Sequence, residues 1–131
     1  MDERLMRIIF EEWESTGEMS RESAQTIDKY FDYLAEYTLE SIDQDIQANR
    51  HDDALATLMR FSTITNAAAA LIPAIIKKLG NWVNRLRSRV DALAKKMGAD
   101  SFSISIDLSA PPTLSVELNF PVTSSTISGS T

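Results

Sequence analysis

Asp28, Asp32, Glu36 and Glu40 recur at every fourth position. On a helix this spacing lines four carboxylates along one face, and such a row is a candidate surface for a divalent cation. Hard cations need oxygens that enclose them from several directions, which a single helix face does not supply. Like charges four residues apart also weaken a helix unless something compensates them. The same row therefore doubles as the acidic partner of a basic surface. Lys78, Trp82, Arg85, Arg87, Arg89, Lys95 and Lys96 provide one. A basic amphipathic helix with a Trp at its start suits an anionic membrane surface or a nucleic acid backbone, so these residues are the candidates for an anionic partner.

Other chemistries fail on residue supply. The chain has no cysteine, which removes disulfides, thiolate metal sites and Cys nucleophiles. His51 is the single histidine, and Ala48 stands where a Glu-x-x-His metal motif of a di-iron bundle needs its glutamate. Four glycines do not form a phosphate-binding loop, and no nucleophile elbow is present. His51 falls in a predicted turn, where a capping or surface role suits it better than phosphotransfer. No cofactor, metal or catalytic constellation is expected, and the chain does not read as an enzyme.

The net charge of −6 over 131 residues is unevenly distributed. Residues 1–53 hold fifteen acids and five bases, a balance of −10, whereas 77–97 hold seven bases and Asp91 alone, a balance of +6. Opposed charge within so short a chain favours complementarity inside a subunit or between subunits over repulsion. Met1-Asp2-Glu3-Arg4 is charged and does not resemble a secretion signal, so the expected location is the cytoplasm. The longest uncharged stretch, Phe61 to Ile76, is 16 residues and contains Ser62, Thr63, Thr65, Asn66 and Pro73. A spanning helix needs ~20 apolar residues, so this stretch reads as core.

Four helical regions must position these residues. The first, about 2–15, carries Met6, Ile9, Phe10 and Trp13 at helical spacing, widened by Leu5 and Ile8, and ends at Gly17. The second, about 20–49, opens with Ser20 as N-cap. Its inner seam is Ala24, Ile27, Phe31, Leu34, Thr38, Ser41 or Ile42, and Asp45 or Ile46. Asn49 to Asp52 form the turn into the next helix, with Asp52 as its expected N-cap.

From Leu55 onward, steps of three and four alternate without a slip. The seam runs through Leu55, Leu58, Ser62, Thr65, Ala69, Ile72, Ile76, Leu79, Val83, Leu86, Val90, Leu93 and Met97. Pro73 and Lys77-Lys78-Leu79-Gly80 argue for breaks, but the phase persists through both. The region is therefore either two helices, 52–79 and 81–97, or one rod of roughly 70 Å at ~1.5 Å per residue. Small residues at its middle (Ser62, Thr65, Ala67 to Ala70) invite close approach by a neighbouring backbone.

After Gly98 the period changes to two. Phe102, Ile104, Ile106 and Leu108 alternate with polar residues, as do Leu114, Val116, Leu118 and Phe120, across a Pro-containing loop. This predicts an amphipathic β-hairpin over 101–120, followed by a flexible Ser/Thr-rich tail over 122–131.

The expected fold is mainly α: an antiparallel helical hairpin or coiled-coil bundle with a C-terminal β-hairpin, in one domain over 1–121. The expected function is a non-catalytic structural or adaptor protein that self-assembles into homo-oligomers. Its oligomer seam would be Leu55, Leu58, Ile72, Ile76, Leu79, Val83, Leu86, Val90, Leu93 and Met97, joined by the apolar face of the hairpin. The partner is then a second copy or another protein. The alternative is a peripheral module that holds an anionic membrane or nucleic acid on its basic last helix.

Overall fold

The computed structural model of the chain describes residues 3–109 and 112–121. The side chain of Leu5, Ala110 and Pro111 of the loop, and the 122–131 tail lie outside the described residues. The fold is mainly helical, with a C-terminal two-stranded antiparallel sheet. The elements are α1 (Glu3–Thr16), α2 (Arg21–Lys29), α3 (Phe31–Gln47), α4 (His51–Leu71), α5 (Ala74–Leu79), α6 (Val83–Met97), β1 (Ser101–Asp107) and β2 (Thr113–Asn119).

Local chemistry sets most boundaries. Gly17 ends α1 in the left-handed region at φ 70°, and its N–H bonds the Trp13 carbonyl at 2.8 Å. The Ser20 hydroxyl accepts the Ser23 N–H at 3.1 Å and caps α2. Gly98 closes α6 at φ 76°. Between α2 and α3 only Tyr30 leaves helical geometry, and its neighbours still bond across it, Tyr30 N–H to Thr26 and Leu34 N–H to Tyr30. The expected second helix is therefore one rod with a single irregular residue.

Two expectations need correction here. The N-cap position of α4 is Arg50, and Asp52 and Asp53 sit inside its first turn. There they face the positive end of the helix dipole, while Arg50 folds back onto Asp45 at 2.9 Å. Gly80 is right-handed, at φ −54° and ψ −30°, not a left-handed helix terminator. The N–H groups of Gly80, Asn81 and Trp82 bond the carbonyls three residues back, at 3.2, 3.2 and 2.8 Å. The chain thus passes from α5 to α6 through a tightened 3₁₀-type turn.

The decisive break is at Ile72–Pro73. Proline has no N–H for the Ala69 carbonyl and disfavours helical geometry in the residue before it. Ile72 accordingly extends to φ −131°, ψ 85°. The single rod from 52 to 97 is excluded: beyond Pro73 the chain turns back. Lys78, Arg85 and Arg89 meet Asp28, Glu36 and Asp43 in the same ascending order, so α5 and α6 run parallel to α2 and α3. α4 links the two limbs and runs in the opposite sense, packed against both. The bundle is up–down–up, and α1 sets Met6, Arg7 and Phe10 beside Tyr37 and Ser41 of α3 and Arg60 and Phe61 of α4.

One core fills this bundle. Ala24, Ile27, Phe31, Leu34, Leu39 and Ile42 of the first limb meet Ala54, Leu58, Phe61, Ile64 and Ala68 of α4. Phe31 and Phe61 pack with ring centroids 6.0 Å apart. Ile42, not Ser41, continues the inner seam of α3. α1 contributes Met6 and Ile9, both nearly fully buried. Ile8 is 53% exposed and does not widen the stripe, since it stands about 200° from Met6 at ~100° per residue. Each fully buried side chain of this size adds roughly 1.5–3 kcal/mol.

The hairpin covers the groove between α4 and α6. Its register is regular from Ser101↔Asn119 to Asp107↔Thr113, without a bulge. Ile104 and Leu114 are buried, and Phe102, Ile106, Val116 and Leu118 pack partly against the same core. Leu108 and Phe120, at opposite ends of the expected apolar face, are 73% and 47% exposed and leave it. Both lie just outside the paired registers, where the strands no longer hold them over the helices.

Candidate functional site

Three surfaces gather the residues singled out by type and spacing. The first is the contact between the acidic row and the basic helix. Lys78 Nζ meets Asp28 Oδ1 at 2.7 Å and also donates to the Asp28 carbonyl at 2.6 Å. Trp82 Nε1 donates to Asp32 Oδ1 at 3.0 Å. Arg85 grips both oxygens of Glu36, at 2.9 and 3.1 Å, and lies over the Trp82 ring at 4.8 Å. Arg89 grips both oxygens of Asp43, at 3.1 and 2.9 Å. Planar two-point pairs of this kind fix geometry as well as charge. A ladder of cations on α5 and α6 therefore locks onto a ladder of acids on α2 and α3.

This ladder decides what both sets of residues can do. Asp28, Asp32 and Glu36 each already hold a donor from the facing limb, so three members of the row are taken up within the chain. Among the described residues, no three of His, Asp and Glu converge where a cation would sit. Of the six basic candidates for an anionic partner, Lys78, Arg85 and Arg89 face carboxylates of the other limb, and Lys95 pairs with Asp91 at 3.1 Å. Among the described residues only Arg87 and Lys96 of the six lack such a partner. Trp82 is likewise committed to Asp32.

The Glu36 carboxyl is held below the ordinary carboxylate range, first by the hydrogen bond from Arg85, against partial desolvation, with the Arg85 and Arg89 charges adding to the lowering. Arg85 is raised by the same bond. A carboxyl depressed by folding stabilises the fold above its unfolded value, and that contribution disappears as pH falls through the folded one. An Arg85→Met variant is expected to return the Glu36 titration toward the ordinary carboxylate value, followed by NMR of its side-chain carboxyl carbon. The acid limb of the stability curve should lose that contribution with it. An unchanged Glu36 titration would show that the bond does not persist in solution.

The second surface is the heptad seam. Leu58, Ile76, Leu79, Leu86, Val90 and Leu93 are 0–1% exposed within a single chain. Leu55, Ile72, Val83 and Met97 are partly buried against the same core. Six of the ten seam positions therefore face the interior of their own subunit, and the other four pack against the same core while keeping part of their surface exposed. Phase was preserved across Pro73 because each helix carries its own apolar stripe, and phase along a sequence does not state where each stripe points. The small middle of the seam does receive a close neighbour, but that neighbour is β2. Asn66 donates Nδ2–H to the Leu114 carbonyl at 2.9 Å and accepts the Leu114 N–H on Oδ1 at 2.7 Å. Ser62 Oγ donates to the same carbonyl at 3.3 Å. The sequence marks Asn66 only as an amide directly before the run Ala67 to Ala70.

The third surface is the hairpin edge. Both main-chain groups of Leu114 point to Asn66, so Leu114 belongs to a pair that exchanges no bonds with β1. Antiparallel strands alternate, so Phe102, Ile104 and Ile106 direct their N–H and C=O outward on β1, and Val116 and Leu118 do so on β2. Among the described residues no backbone hydrogen bond joins these five to another element. β1 has no lysine, proline or bulge, the usual devices that guard an edge, and its one charge is terminal Asp107.

No protein-family model, curated protein or solved structure matches this chain. Its surfaces alone carry the functional argument. No helix among the described residues is long and apolar enough to cross a membrane.

Proposed function

We propose that the chain is a non-catalytic structural or adaptor protein that joins copies of itself through the β1 edge of its hairpin. The carrying observation is that edge: seven regular residues, three of which direct both N–H and C=O outward, and no guarding charge within them. Two copies related by a two-fold axis through Ile104 would form a four-stranded antiparallel sheet, an isologous contact in which each strand serves both roles. Asp107 would then lie opposite Ser101 of the partner, so no like charges oppose. The ladder and seam support this assignment indirectly, because both are satisfied within one chain.

Light scattering over a concentration series is expected to give a dimer or larger species, and a monomer at high micromolar concentration would sink the proposal. The S103K/S105K double variant places like charges across the two-fold while touching only exposed positions. It should be monomeric with unaltered helical content.

A further inference from the structure

We infer that the cleft between α1, α3 and α4 is a binding site for a small organic anion, a carboxylate or phosphate head on a flat apolar body. Its volume is about 220 Å³. It opens at the surface, where both of its arginines are exposed. Arg7 and Arg60 line it together with Phe10, Phe61, Tyr37 and Ser41.

The lining is two-sided in chemistry. Phe61 is 2% exposed and forms a rigid apolar wall from the bundle. Phe10 lies under the Arg60 guanidinium at 5.9 Å, an aromatic ring and a cation already stacked. Arg7 is one of five bases among fifteen acids in the first 53 residues, and Arg60 is the one charged residue of 54–76. Arg60 meets Glu14 at 3.3 Å, but both side chains are about half exposed, and ion pairs of that kind hold weakly. A carboxylate or phosphate that accepts two parallel N–H bonds from Arg60 competes with Glu14 for it. The ring of the ligand would then lie beside Phe10, with Tyr37 and Ser41 offering its further polar contacts.

The test is an NMR titration of the full chain with benzoate, phenyl phosphate, inorganic phosphate and neutral benzamide. Saturable shifts at Phe10, Tyr37 and Phe61 are expected with benzoate or phenyl phosphate, and whichever of the two binds tighter identifies the head group. Binding should weaken roughly tenfold in R7Q and in R60Q, in line with loss of a charge-assisted bond. Ser41→Leu, which adds bulk to the cleft and leaves both arginines in the chain, should abolish it while the melting temperature holds. Absence of saturable shifts with both aromatic anions up to about 10 mM, weaker than any millimolar site, would overturn the inference. So would benzamide binding as tightly as benzoate, or inorganic phosphate binding as tightly as phenyl phosphate.

Discussion

Leu86→Ala is expected to destabilise the protein by about 2–5 kcal/mol, the range for deleting a buried leucine side chain and leaving a cavity. Leu86 is 1% exposed on the inner face of α6, flanked along the seam by Val83 and Val90. The magnitude follows from lost apolar contact and from a void that neighbouring helices close only in part. The result also separates two roles for the heptad positions. If the seam lies inside one chain, the loss of stability is the same in the S103K/S105K background, and the oligomeric state of the single variant does not change. If the seam joined subunits, Leu86→Ala would dissociate them while leaving each subunit's helices folded. Urea unfolding followed by circular dichroism, with light scattering on the same samples, distinguishes these outcomes.

Asn66→Leu carries the second large effect. The Asn66 amide satisfies both main-chain groups of Leu114, and Leu114 itself is only 2% exposed. Ser62 Oγ still reaches the carbonyl in the variant, but the Leu114 N–H loses its acceptor. A buried donor left without a partner costs about 1–3 kcal/mol. The effect should concentrate in the hairpin, because this amide is its polar tie to α4. Amide hydrogen exchange is expected to accelerate across β2 before it changes in α3. Asn66→Asp retains an acceptor for the N–H but sets a carboxylate beside the carbonyl, so it should fall between the parent and Asn66→Leu. Equal protection of Leu114 in all three proteins would show that apolar contact alone holds the hairpin.

The hairpin was legible because strands and helices leave different signatures. Phe102, Ile104 and Ile106 alternate with serines, and a period of two suits only an element whose side chains switch faces at each residue. The Gly17 and Gly98 terminators and the Ser20 cap were legible for a related reason, since each acts on the backbone within a turn of itself. Gly80 misled because a glycine after two lysines matches a helix terminator, yet the chain there keeps right-handed geometry. Asn66 went unnoticed because its importance lies in a peptide unit 48 residues away.

The sequence by itself determined the mainly helical class, the C-terminal hairpin and the polarisation of charge between an acidic and a basic segment. These depend on composition and on periods of one turn or less, which a chain carries whatever its folding. Only the tertiary structure decided that Pro73 reverses the chain, so that the heptad stripe faces inward and the basic residues of α5 and α6 meet the acids of α2 and α3 in one subunit. Periodicity fixes which face of a helix is apolar or charged, but the direction of that face depends on the angle taken at a two-residue link. Packing across the whole bundle sets that angle, and no local pattern encodes it.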